Sequence, residues 1–255
     1  MLTKNPYVVP GLERGLRLLQ LFRPGRAEIG APEMARELEL PRSTAFRLLQ
    51  TLEALEFVER SANGAWRLGP AVLRLGFEFV ASQDVGEYGR EVLEKLCDEA
   101  GASSQLAIRD GREIVVVLKK NPPTTFASNV QVGTRMPAHG TVLGRVLLQD
   151  VPLKKLYPDG KLKQYTPQTP RSVAELEKRI AQDRARGYAL SESAYENGIS
   201  AIAAPVRNHE QRVVAALSVI VPQPRLEPRR RDELIQKAVA AAAELSRRMS
   251  YKEAA

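Results

Sequence analysis

The chain has 255 residues, 44% of them hydrophobic and 27% charged, with a formal net charge of +8. That balance belongs to a folded globular chain, not a disordered one, and the length admits one large domain or two ordinary ones. No apolar run reaches the ~18 residues a membrane span needs, and the N-terminus "MLTKNPYVVPGLERG" lacks a signal-peptide core, so a cytoplasmic protein with no membrane partner is expected; its single cysteine, Cys97, excludes an internal disulfide and a cysteine-based zinc site.

The positive charge is spread along the chain. The first 83 residues carry 11 Lys/Arg against 9 Asp/Glu, and part of the remaining excess is the run Arg229, Arg230 and Arg231, which reads as a solvated helix start. Charge of this kind permits DNA binding without establishing it.

In chain order, Leu12, Leu16, Leu19 and Phe22 line a first helix that stops at the Pro24-Gly25 breaker. Pro32 opens a short second helix with Met34, Ala35 and Leu38 inward. A third follows at once, with Pro41 in its first helical position. On a 3.6-residue wheel, Ala45, Leu48, Leu49, Leu52 and Leu55 fall on one side of it, and Ser43, Arg47, Gln50, Thr51 and Ala54 on the other. The polar side has hydroxyls, an amide and an arginine, with no acid before Glu53. "FVERSANGAWRLG" then places two extended runs around Asn63-Gly64, the strongest local hairpin signal. A helix-turn-helix followed by a hairpin predicts a winged helix.

A recognition helix enters the major groove by its N-terminal end. Arg42, Ser43, Thr44 and Arg47, continued by Gln50 and Thr51, supply side chains for phosphates and base edges. Phe46 borders this face, either touching a thymine methyl or completing the core. Arg60 and Arg67, one on each hairpin arm, track the DNA backbone or are simply solvated.

"PAVLRLGFEFVASQ" predicts a linker helix. Beyond it, residues 86–100 are helical and "SSQLAIRDGREIVVVLKK" makes two strands around Asp110-Gly111. "TFASNVQVGTRMP" is extended, and helices follow at 141–149 and 172–187. A long hairpin then turns near Asn208–Gln211, and residues 227–250 close the chain as a helix. The pattern is α+β, with helices flanking a largely antiparallel sheet. Within "RMPAHGTVLGRVLLQ", Thr141 is a good helix cap, and a glycine before an apolar helix lets backbone amides face a cavity. An ordinary capped helix has the same pattern.

"VPGLERGLRLLQLF", "APEMARELELPRSTAFRLLQTLEALEFVERSANGAWRLGP", "RMPAHGTVLGRVLL" and "GISAIAAPV…RVVAALSVIVP" together resemble the IclR family of bacterial transcriptional regulators, in unbroken order from about Val9 to Met249. The resemblance implies three parts: a winged helix-turn-helix DNA-binding domain (1–68), a linker helix (69–83) and a GAF-like α/β effector-binding and oligomerisation domain (84–255). It also implies an effector pocket formed by the Thr141 loop, with amides at Val142 and Leu143, and by the strands of the late hairpin. Family members that bind small oxo-acids tend to have a cysteine and two serines there; the corresponding residues here are Ala201, Ser218 and Ile220. Ser218 and Ile220 share one strand face. The drier floor points to a small organic acid with an apolar or aromatic body and a carboxylate at the loop. Ser191 and His139 are further candidates for this pocket; Ser191 is equally suited to the surface and His139 to a structural role.

No cofactor, metal site or catalytic residue is expected. G-x-S-x-G, P-loop, G-x-G-x-x-G and H-E-x-x-H motifs are all missing, although a Ser–His dyad using His139 leaves an enzyme as the alternative. A nonspecific architectural DNA protein is a third reading. The favoured one is a regulator of a catabolic operon, binding a palindromic double-stranded DNA operator as a homodimer or homotetramer.

Overall fold

The computed structural model describes residues 7–23, 25–82, 85–123, 130–222 and 226–253. The chain divides into two compact units, Met1–Phe79 and Val80–Ala255.

The first unit packs α1 (Pro10–Leu19), α2 (Ala31–Glu37) and α3 (Arg42–Ala54) around Leu18, Ile29, Met34, Leu49, Val58 and Trp66. Strands β1 (Val58–Arg60) and β2 (Trp66–Leu68) form an antiparallel wing whose turn includes Gly64 at φ +81°. Trp66 also bridges to Ile29, which ties the wing to the helices. Gly69 follows the wing in close contact with the end of α3: a Cβ there would stand 2.3 Å from the Glu56 carbonyl oxygen. The next helix, α4, runs Pro70–Ser82.

Several expectations shift. Helix α1 ends at Leu19, before the Pro24-Gly25 breaker, of which Pro24 lies outside the described residues. Leu12 and Leu16 do not face the core but are 63% and 52% exposed; Gly15 and Leu18 are buried instead. A 3.6-residue period cannot say which of two apolar stripes is covered. Leu55 is likewise exposed, and Pro41 is the N-cap residue of α3, not its first helical residue.

In the second unit, α5 (Val85–Ala100) precedes β3 (Ser103–Asp110) and β4 (Glu113–Lys120). Of the segment expected to be extended, 125–129 lie outside the described residues and β5 (Arg135–Pro137) is a short strand. A 3₁₀ turn, Ala138–Gly140, leads into α6 (Val142–Leu147), which is shorter than expected. There follow α7 (Leu153–Leu156), for which the sequence reading made no provision, α8 (Val173–Arg186), β6 (Ala189–Glu192), β7 (Ile199–Arg207), β8 (Val213–Pro222) and α9 (Pro228–Glu253). The six strands run β5-β4-β3-β8-β7-β6, each pair antiparallel. Two three-stranded meanders therefore join where the first strand of one meets the last of the other.

Alternation gives the sheet two apolar faces. Leu106, Leu118, Ile202, Leu217 and Val219 pack on α5 and α9. Ala107, Ile114, Val116, Ala203 and Ala216 pack with α6 and α8 on the other side. Gln105, Ala201, Ser218 and Ile220 continue that second face, where the helices leave it uncovered.

Candidate DNA-binding surface and effector cavity

Helix α3 starts without a side-chain cap and has no acid in its first turn. Arg42, Ser43 and Arg47 are exposed and Thr44 is half-buried. Among the described residues neither Arg42 nor Arg47 has an ion-pair partner, so their charge is available to phosphate or a guanine edge. The next turn differs. Gln50 donates to Glu53 at 2.9 Å, and the Thr51 hydroxyl donates back to the Arg47 carbonyl at 3.0 Å.

The two wing arginines also differ. Arg67 is paired with Glu59 at 2.7 Å. The Arg60 guanidinium instead stands 5.1 Å from the Trp66 ring centre and 6.0 Å from that of Phe46. Trp66 is buried and Phe46 is 43% exposed. Cation–π attraction to both rings holds Arg60 beside α3. Phe46 thus carries a side chain of the wing; sequence periodicity had left it between base contact and core.

In the second unit, a cavity of about 120 Å³ opens on the second face of the sheet. This is of the order that accommodates a single aromatic ring. Its floor is Gln105, Ala201, Ser218 and Ile220; Thr141, Val142 and Leu143 form one wall, and Ser191, Tyr195, Glu196 and Ile199 another. Ser218 is fully buried and its hydroxyl has no hydrogen-bond partner.

The Thr141 wall is built by close packing. The Thr141 hydroxyl accepts from Gly144 N at 3.1 Å, as expected of a cap. A Cβ on Gly144 would lie 2.0 Å from the Ala138 carbonyl oxygen, so only glycine lets α6 settle on the 3₁₀ turn. Arg145 then donates to Asp183 at 2.6 Å and to the Leu190 carbonyl at 2.7 Å, which joins α6 to α8 and to the strand carrying Ser191. Burial pulls the Arg145 pKa below its ordinary value, against the opposing pull of Asp183. Losing one partner of so buried a pair typically costs about 3–5 kcal/mol.

His139 does not reach the cavity wall. It is buried, its Nε2–H donates to the Lys163 carbonyl at 2.8 Å, and its ring lies 6.0 Å from that of Tyr157 and 5.8 Å from that of Tyr165. Burial lowers its pKa, and the Lys163 hydrogen bond only partly offsets this. The residue before the glycine turns away from the wall because the 3₁₀ turn rotates it into the tyrosine cluster. The other seven residues expected at the pocket, Thr141, Val142, Leu143, Ser191, Ala201, Ser218 and Ile220, stand together around the cavity.

Residues 11–62 match the model of the IclR helix-turn-helix domain, and residues 77–247 that of the bacterial transcriptional regulator IclR C-terminal domain. The chain belongs to the IclR family. It is a DNA-binding transcriptional regulator. It is 31% identical to the HTH-type transcriptional regulator XynR of Escherichia coli (strain K12), over 96% of this chain and 98% of that protein. It is 29% identical to the HTH-type transcriptional regulator KipR of Bacillus subtilis (strain 168), over 98% of this chain and all of that one. Among solved structures, an IclR transcriptional regulator from Alicyclobacillus acidocaldarius superposes with a TM-score of 0.85 at 26% identity, covering 96% of this chain and 100% of that one. An IclR homologue from Microbacterium hydrocarbonoxydans, solved with 4-hydroxybenzoate, shares the fold with a TM-score of 0.83 at 22% identity, covering 94% and 98%. These IclR relatives are regulators, not enzymes, which sets the catalytic alternative aside.

Sequence reasoning about the IclR cavity missed Gln105, Tyr195, Glu196 and Ile199. Ile199 was accessible, two residues before Ala201 on the same strand face. Gln105, an amide inside an apolar strand, was a second signal. Tyr195 and Glu196 lie in an irregular connection with no period to place them.

Proposed function

We propose that this regulator is sequence-specific and responds to a small organic acid with an apolar or aromatic body. Its carboxylate would lie at the Val142 and Leu143 amides and its body over Ala201 and Ile220, with Ser218 bonding a polar substituent. The observation that carries this reading is the Ser218 hydroxyl: buried, unpartnered and on a floor that is otherwise largely apolar. An unsatisfied buried hydroxyl favours a ligand able to bond it. The 4-hydroxybenzoate found in the relative from Microbacterium hydrocarbonoxydans is a molecule of this class.

In this reading residues 1–68 bind DNA, 69–83 connect and 84–255 sense the effector and oligomerise. Arg42, Ser43, Thr44 and Arg47 form the principal contacts, and Arg60 meets the backbone from the wing. Gln50, Thr51 and Arg67 exchange internal partners for DNA when bound. A homodimer, or a homotetramer built from it, on a palindromic operator is supported by the exposed stripe Val9, Leu12 and Leu16 along α1, spaced i, i+3, i+7. The protein acts in the cytoplasm on a catabolic operon. Effector and operator affinities are linked, so each changes the other by the same factor.

The test is selection of genomic fragments by the purified protein at near-physiological salt, with and without candidate acids. Enrichment of one palindromic site, altered by an acid, supports the reading. Diffuse retention under both conditions overturns it.

A further inference from the structure

The cavity wall poses an electrostatic problem for an acidic ligand. Among its described residues the one charged side chain is the carboxylate of Glu196, and the remainder are neutral. An anion entering such a site gives up its hydration and meets a like charge.

The sequence "LKKN" offers a cation, and the sheet decides which of its two lysines can serve. Strand alternation sends Lys119 and Lys120 to opposite faces. Lys120 goes to the helix-covered face, where its ammonium meets Glu94 of α5 at 3.2 Å. Lys119 goes to the cavity face. Its register partner across β3 is Gln105, whose side chain forms part of the cavity floor. Its ammonium donates to the carbonyl of Val130, whose residue also lines the cavity. Two independent contacts therefore place Lys119 immediately behind the wall, at the β3–β4 end.

We propose that Lys119 supplies the positive charge that selects an acidic over a neutral effector, an inference that rests on this cavity being the effector site. Lys119 is half-buried, and burial draws its pKa below the ordinary lysine value. A partly desolvated ammonium interacts with a nearby anion under less screening than a surface lysine does. On binding an acid the ammonium would exchange bonding of the kind it gives the Val130 carbonyl for the carboxylate, as its three donors permit.

The experiment is titration calorimetry on the intact protein with paired probes: benzoate and benzamide, 4-hydroxybenzoate and 4-hydroxybenzamide, phenylacetate and phenylacetamide. Wild type is expected to bind at least one acid more tightly than its own amide. Lys119→Met should weaken that acid about tenfold and leave the amide within about twofold, while Lys119→Arg keeps most of the preference. An unchanged melting temperature of the unliganded variants confirms that they fold. If Lys119→Met retains the full acid-over-amide preference, Lys119 is not the selector, although the cavity remains an acid site. If wild type binds the amides in preference, or none of the six compounds, the acidic reading of the cavity falls, and the role of Lys119 with it.

Discussion

Replacing Ser218 by alanine should strengthen the unliganded protein and weaken its response to effector, two effects of opposite sign from one atom. In the folded chain the Ser218 hydroxyl is buried without a partner. Leaving such a group unsatisfied costs about 1–3 kcal/mol. Removing it opens little new void, because the side chain already borders a cavity. Taking the low end, about 1 kcal/mol of stability is recovered, which raises the melting temperature by about 2–4 °C for a protein of this size. With effector bound, the same hydroxyl makes a hydrogen bond worth about 1 kcal/mol, so its loss weakens binding roughly fivefold. Thermal unfolding with and without a saturating acid measures both. The variant should melt higher alone and gain fewer degrees from ligand. A lower melting temperature for the unliganded variant would refute the reasoning, because the hydroxyl would then be contributing a bond in the free protein.

The remaining predictions concern DNA, assembly and pH. Arg47→Ala should reduce operator affinity by about 1–3 kcal/mol if it reads a base, or lower the salt slope by about one if it meets phosphate. Arg67→Ala should change affinity several-fold less, since Glu59 already pairs that guanidinium; equal losses by fluorescence anisotropy would contradict the distinction. Leu12→Glu with Leu16→Glu should yield monomers in sedimentation velocity and leave each unit's fold intact, because both side chains are exposed in the single chain. His139 has a lowered pKa in the folded state, so the unfolded chain binds its proton first and stability falls as pH drops below the ordinary histidine range of about 6.5. His139→Gln should flatten the fall in urea midpoint between about pH 7 and 5; an unchanged slope would show that other groups cause it.

Local chemistry carried the DNA-binding unit far. Asn63-Gly64 could hardly be anything but a hairpin turn, because few residues adopt its positive φ. The spacing of Met34, Ala35, Ala45 and Leu49 placed the core sides of two helices correctly. The alternating runs around Asp110-Gly111 and Asn208–Gln211 likewise became the paired strands of the large sheet. The same alternation put Ser218 and Ile220 on one face. α1 failed because its leucines form two stripes, and which stripe is buried depends on α3 rather than on α1.

What the sequence determined by itself was therefore periodic and local: element types, turn chemistry, the polar face of α3 and the face of each strand residue. These follow from backbone geometry within a few residues. Tertiary structure alone decided which polar groups already have partners. It gave Arg67 to Glu59, set Arg60 between Phe46 and Trp66, took His139 to the Lys163 carbonyl and left Ser218 without any. It also brought Tyr195 and Glu196 to a cavity whose floor joins strands far apart in the chain, with Gln105 of β3 beside Ser218 of β8. The separations run from a few residues within the wing to 24 between His139 and Lys163, and the free energy of each contact depends on burial that no short stretch of sequence contains.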